Sequence, residues 1–283
     1  MTRLGHADRK ARPTAAWPRR ILAELFAAVG FLTRVPVGAA GAANAERTGA
    51  SAFGLVGAAV GAVGAVALLV LGDRAPLAAS GLAVGAMAVV SGALHLDGLA
   101  DTVDALAAFD EAASTRARKD PAAGPAGAAS IALVIVMDVG LLATLTGNGA
   151  AGQLVRGPVV AALACIVAAA GSRALPVLAV MIASPGGTSM GGTTGSGLGG
   201  WFAARTGWWS ALLAIGSTGM VSVSAAVALG RPGFVLGAIG GILIGVLFSG
   251  WLALKRHGLD GDALGAIVEV GFGAILLGLV VAP

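Results

Sequence analysis

Charged residues are scarce in this chain of 283 residues, of which they make up only 11%. A soluble domain carries roughly 25% charged residues. Because 57% of the chain is also hydrophobic, its composition excludes an ordinary soluble protein and indicates an integral membrane protein. The single cysteine excludes a disulfide framework, and one cysteine with three histidines disfavours a zinc site. The 46 glycines suit transmembrane helices that pack closely.

The few charges are mostly basic, which gives a formal net charge of +4 and a pI near 10.2. This balance fits attraction to anionic lipids and phosphorylated substrates, and it is no evidence for nucleic acid as a partner. With a cytoplasmic amino terminus, the loops and tail place 14 Lys and Arg residues inside and 3 outside. The sequence therefore predicts a multi-pass membrane protein whose polar, chemically interesting loops all lie on the cytoplasmic face.

The hydrophobic pattern predicts an all-α membrane bundle that forms one domain over residues 1–283, after a mobile basic tail at 1–20. Ile21–Leu32 is too short to span a membrane, and we expect a retained interfacial or re-entrant helix there, although its surroundings imitate a secretory signal peptide. Seven later segments are long enough to span: 50–71, 76–96, 126–146, 158–183, 208–229, 233–254 and 263–282.

The stretch from His95 to Leu106 concentrates acidic residues in a chain that has only 14 of them. On a helix, Asp97, Asp101 and Asp104 fall within about 60° of arc, so one face carries three carboxylates that repel one another. Hard oxygen ligands on such a face suit Mg²⁺ or Mn²⁺. The alternative is a solvated acidic face beside a membrane helix. His95 falls on the opposite side, where we expect a satisfied interface residue.

Two further polar clusters flank predicted spans, one around Lys119 and one at Lys255–Asp262, which opens the last span. Lys119 and Asp120 precede Gly124 and Gly127, and together they could present a cation and backbone N–H groups to a phosphate. The alternative is cationic anchoring to lipid headgroups.

Ionisable residues within apolar spans are costly and usually functional or paired. Asp262 and Glu269 share a face of the last helix, although Asp262 also suits a plain N-cap. Arg173 and Asp138 also lie within spans, and we expect them to pair with each other or with the aspartate face, with Arg173 favoured for a phosphate role and Asp138 for a structural one. The glycine-rich loop at 186–200 contains a Gly-x-Gly-x-x-Gly match that no strand precedes, so we consider a lid or a simple linker.

The block His-Leu-Asp-Gly-Leu-Ala-Asp-Thr-Val-Asp-Ala-Leu at 95–106 resembles the signature of the adenosylcobinamide-GDP ribazoletransferases, also called cobalamin 5′-phosphate synthases. The chain departs from that family's pattern at Ala105, at Ala122 in place of Arg, and at Asp260 in place of Thr. Further blocks agree in order and spacing: Phe31–Val37, Leu55–Gly61, Lys119–Gly127, Ser172–Arg173, Leu254–Arg256 and Gly261–Glu269.

The resemblance implies transfer of an adenosylcobinamide-phosphate group from its GDP derivative to α-ribazole or α-ribazole 5′-phosphate, with release of GMP. It implies Mg²⁺ on Asp97, Asp101 and Asp104, and a further ligand or base from Asp120, Asp262 or Glu269. The substrate-binding residues that it implies are Lys119, Arg173, Arg256, Gly124 and Gly127.

Several alternatives stay open from the sequence. A CDP-alcohol phosphotransferase-like enzyme would also use an Asp-rich helix, and a transporter would explain the intramembrane charges. A homo-oligomer and association with other cobalamin-pathway enzymes are also open.

Overall fold

The computed structural model describes residues 17–38, 46–108, 124–147, 156–183 and 197–282. Within these ranges all regular secondary structure is helical, which confirms the predicted all-α class. A short 3₁₀ turn, Ala50–Ala52, leads into the second helix. The helices are α1 (Trp17–Leu32), α2 (Phe53–Leu71), α3 (Pro76–Ser91), α4 (Leu94–Ala107), α5 (Pro125–Gly147), α6 (Gly157–Ala183), α7 (Leu198–Arg205), α8 (Trp208–Leu229), α9 (Gly233–Lys255) and α10 (Gly261–Val281).

The helix lengths agree with the predicted membrane bundle. Six helices of the described chain are long and apolar enough to cross a membrane, and α3 with α4 adds a seventh when the bent pair is counted as one span. The helix α1 has 16 residues and begins at Trp17, four residues before the predicted apolar run.

The predicted span at 76–96 is interrupted, because α3 ends at Ser91 and α4 leaves it at an angle of 91°. Gly92 and Ala93 both adopt left-handed backbone conformations, with φ of 63° and 54°. Their N–H groups bond back to Val89 and Ala88, which closes the carboxyl end of α3. An apolar run therefore conceals a sharp turn, and the aspartate-bearing helix points away from the span.

The centre of the bundle is α6, which is the most buried of the six long helices. It contacts α2 closely, since a Cβ atom added to Gly57 would lie 2.4 Å from the carbonyl oxygen of Ala169. The pair α9–α10 meets in the same way, where a Cβ on Gly237 would lie 2.4 Å from the carbonyl oxygen of Gly278. Small residues thus bring the central helices together, as the glycine content predicts.

The two ends of the bundle differ in their contacts. At one end, Arg156 at the start of α6 forms a 2.9 Å salt bridge with Asp73 between α2 and α3. Because the spans alternate in direction, the beginning of α10 and the helices α1, α4 and α7 lie at the other end. There the Phe31 ring packs 5.4 Å from Phe53 and 5.3 Å from Phe202, measured between ring centroids.

Some predictions concern residues outside the described ranges. Lys119 and Asp120 are among them, and so is the glycine-rich loop from 186 to 196. The last residues of that loop, from Leu198, form the first turn of α7.

Candidate active site

A close crossing of α4 and α10 builds the candidate site. A Cβ atom added to Gly98 would lie 2.8 Å from the carbonyl oxygen of Asp262, and one added to Gly265 would lie 3.2 Å from the Cα of Gly98. A side chain at position 98 would force the two backbones apart, and one at position 265 would be tightly confined. The crossing places the first turn of α10 against the helix that carries the predicted carboxylate face.

The crossing gathers carboxylates from both helices into an acidic cluster. Asp101 is repelled electrostatically by Asp97, Asp104 and Asp260, and Asp262 is repelled by Asp260, Asp101 and Asp97. The acidic cluster is thus formed by five residues, Asp97, Asp101, Asp104, Asp260 and Asp262. Arg256 is the cation that attracts both Asp101 and Asp262. Five carboxylates around one guanidinium favour the binding of a further cation.

The donor set of the acidic cluster fits a hard divalent cation, since it consists of carboxylate oxygens without thiolate or imidazole. In the described part of the chain, no three His, Cys, Asp or Glu side chains are arranged to enclose a metal ion. A cation held here would therefore draw the carboxylates closer together.

Asp104 makes a different contact from its two neighbours on α4. Its Oδ2 accepts the N–H of Gly124 at 2.7 Å and its Oδ1 accepts the N–H of Gly127 at 2.8 Å. A Cβ at Gly127 would lie 2.3 Å from Oδ2 of Asp104, so a side chain there would displace the carboxylate. The N–H groups predicted to face a phosphate are engaged by Asp104 in this structure, and the carboxylate caps the start of α5.

We expect Asp104→Ala to lower the free energy of unfolding by about 1–2 kcal/mol, because the start of α5 loses two hydrogen bonds from a charged acceptor. Thermal unfolding in detergent with a chelator present measures this effect without any contribution from metal. Asp73→Ala is the matched control, since it removes a carboxylate from an exposed salt bridge at the opposite end. Equal stability of the two variants would contradict the capping role.

Arg256 links α4 to the start of α10. Its Nη1 donates to Oγ1 of Thr102 at 3.0 Å, and its Nη2 donates to Oδ2 of Asp260 at 2.6 Å. Asp260 also accepts the N–H of Ala263 at 2.9 Å and is the N-cap of α10. The N-cap alternative for Asp262 is therefore wrong, and its carboxylate lies in the first turn of the helix. Sequence reasoning missed Thr102, which lies 154 residues from its partner.

A second group of charges lies between α5, α6 and α10. Asp138, Arg173 and Glu269 line a cavity of about 30 Å³, and this intramembrane cluster has one cation between two carboxylates that attract it. Arg173 is 4% exposed and donates to Oγ of Ser172 at 3.1 Å. The Nε of Arg173 and the Oδ1 of Asp138 have no hydrogen-bond partner in the described ranges. The cavity has room for one water molecule, which would bridge the charges.

An apolar cavity of about 280 Å³ opens beside the acidic cluster, and we call it the aromatic-lined cavity. Its apolar wall includes Phe31, Phe53 and Val268, and its polar wall includes Asp97 and Asp262.

His95 also lines the aromatic-lined cavity. It is 5% exposed, as expected of an interface residue. Its Nδ1 has no hydrogen-bond partner in the described ranges, so the expectation of a satisfied histidine is wrong for that atom. Polar atoms buried in this way are uncommon in folded proteins.

Comparison with known proteins identifies the family. Residues 24–280 match the family CobS, cobalamin-5-phosphate synthase. An adenosylcobinamide-GDP ribazoletransferase of Pseudomonas paraeruginosa is 33% identical over 265 residues, which cover 92% of this chain and 99% of the relative. One from Brucella ovis is 33% identical over 288 residues, covering 93% of this chain and 98% of the relative. No solved structure matches the chain at a significant level. The match over nearly all of the described helices, with relatives of this identity and coverage, shows that the chain belongs to the cobalamin-5-phosphate synthase family.

Proposed function

We propose that this chain is a membrane-embedded adenosylcobinamide-GDP ribazoletransferase. The hydroxyl oxygen of α-ribazole, or of α-ribazole 5′-phosphate, attacks the phosphorus that bears the cobinamide group. The bond from that phosphorus to GMP breaks, and GMP leaves with the electron pair. The products are adenosylcobalamin, or its 5′-phosphate, and GMP.

The observation that carries this proposal is the crossing of α4 and α10, where Gly98 and Gly265 bring Asp97 and Asp101 beside Asp262. Displacement at a diphosphate creates negative charge on the leaving group, which a divalent cation on carboxylates can neutralise. Family membership supports the substrates, since the relatives are named for transfer of ribazole to adenosylcobinamide-GDP.

We assign Asp97 and Asp101 as ligands of Mg²⁺, with Asp104 on the same face holding the start of α5. When bound, Mg²⁺ supplies charge neutralisation for the diphosphate and for departing GMP. Asp262 takes the proton of the acceptor hydroxyl, because it lines the aromatic-lined cavity at the edge of the acidic cluster. Arg256 keeps Asp260 and α4 in register with α10.

We also propose roles for the remaining residues that the sequence predicted to belong to the site. Lys119 is proposed to contact the diphosphate, and Asp120 to assist as a ligand or base. Arg173 and Glu269 are grouped with Asp138, which supports a role in positioning α6 and α10 around the site. The excess of positive charge supports a cytoplasmic face for this end of the bundle, in a bacterial inner membrane.

The test is GMP release by the purified chain in detergent, with adenosylcobinamide-GDP and either acceptor, in the presence of Mg²⁺ or a chelator. We expect GMP and the cobalamin product in equal amounts, with Mg²⁺ required. If GMP is released equally well in the presence of the chelator, the Mg²⁺ assignment is wrong but the proposed reaction stands. Absence of release from folded protein would overturn the proposed reaction and lead to tests of CDP-alcohols and of solute transport in vesicles.

A further inference from the structure

The aromatic-lined cavity is built differently from the acidic cluster beside it. Phe53, Leu32 and Val268 are at most 3% exposed and form a rigid apolar wall. Phe31 closes one side and packs against the rings of Phe53 and Phe202. Flat aromatic groups are favoured in such a pocket because rings can stack or meet edge to face.

We propose that this cavity binds the dimethylbenzimidazole base of ribazole, an inference that rests on the proposed function. Ribazole joins a flat, bicyclic, apolar base to a ribose, and the base has one unsubstituted ring nitrogen. A volume of about 280 Å³ is at the small end of ligand pockets. It admits a bicyclic base and is far too small for a corrinoid.

His95 supplies the polar contact that orients the base. Its imidazole is buried in the wall, and its Nδ1 has no partner in the described part of the chain. The unsubstituted ring nitrogen of the base accepts a hydrogen bond, and the His95 tautomer that carries its proton on Nδ1 donates to it. A buried polar atom without a partner is costly, and this contact gives Nδ1 its partner.

The carboxylates at the edge of the cavity fix the direction of the nucleoside. Asp97 and Asp262 line the same space as the apolar wall. With the base inside, the ribose lies at these two carboxylates, and its attacking hydroxyl meets Asp262. The cavity thereby separates the acceptor from the corrinoid donor, which remains outside it.

The test compares variants by the KM of each substrate. We expect His95→Leu and Phe31→Ala to raise the KM for ribazole roughly tenfold, because each removes one contact to the base, while the KM for adenosylcobinamide-GDP stays within about twofold. His95→Asn should retain most of the affinity, since its amide places an N–H donor near the former Nδ1. Phe26→Ala is the matched control, because Phe26 is an exposed residue of α1 outside the cavity.

Two further measurements make the test independent of how the variants fold. Wild-type protein should prefer ribazole over the indole riboside, which lacks the acceptor nitrogen, and His95→Leu should lose that preference. Free dimethylbenzimidazole should inhibit wild-type turnover competitively with ribazole. Normal GMP release without such competition, or without any preference for the acceptor nitrogen, would overturn the pocket assignment and leave the proposed function intact. Failure of GMP release in wild type would instead count against the proposed function.

Discussion

Replacing Asp101 by asparagine will reduce turnover about 100-fold or more, with the protein still inserted and folded. Asp101 lies on α4 between Asp97 and Asp104 and opposite the first turn of α10. An amide keeps the shape of the side chain but removes the charge that holds a divalent cation. A loss of two powers of ten corresponds to about 2.7 kcal/mol of transition-state stabilisation, which is reasonable for one charged ligand of a catalytic metal.

GMP release per folded molecule measures this effect, with thermal unfolding in detergent as the check on folding. Asp73→Asn is the matched control, because Asp73 is an exposed carboxylate in a salt bridge at the opposite end. That variant should keep near wild-type turnover. Activity of Asp101→Asn close to wild type would remove Asp101 from the site, and with it the metal-binding face of α4.

Adding a single methyl group at Gly98 will also cut activity sharply, by roughly 10- to 100-fold. The new Cβ would lie 2.8 Å from the carbonyl oxygen of Asp262 and 3.1 Å from its Cα. Both are backbone atoms, so α4 and α10 must move apart. Overpacking of this kind costs about 1–3 kcal/mol, and here it separates Asp97 and Asp101 from Asp262.

The matched control for Gly98→Ala is Gly85→Ala on α3, where an added Cβ meets nothing within 4 Å. This substitution should leave turnover unchanged and slightly favour the helix. Unfolding temperature and GMP release should both be measured for each variant. Full activity of Gly98→Ala would show that activity does not require the close approach of α4 and α10. It would contradict the proposal that the two helices form one site.

The sequence predicted the fold class and the count of spans because long apolar runs have few alternatives in a membrane. It did not predict where α3 ends, since Gly92 and Ala93 look like ordinary members of an apolar run. Both residues adopt left-handed conformations, and Gly92 lies so close to the Arg34 side chain that a Cβ there would collide with it, a contact that the local sequence does not reveal.

The sequence also located the carboxylates of the candidate site but not their different contacts. Asp104 and Asp101 have the same chemistry and lie on one helical face, yet only Asp104 meets the N–H groups of Gly124 and Gly127. Spacing along one helix cannot show which carboxylate another helix will reach. The Arg256–Thr102 hydrogen bond joins residues that are distant in sequence. The lack of a hydrogen-bond partner for Nδ1 of His95 likewise depends on neighbours that the local sequence does not show.

The bend after α3 has a consequence for how deeply the reaction lies in the membrane. With 16 residues, α3 is about 24 Å long, whereas the hydrocarbon layer of a bilayer is about 30 Å thick. Since α4 turns away at 91° from the end of this short helix, a bilayer of ordinary thickness would extend past the bend unless it thins there. Thinning of the bilayer around this edge of the protein would let polar molecules reach the carboxylates of α4. We therefore expect turnover to depend on acyl-chain length, with longer lipids covering the aspartate face and shorter lipids exposing it.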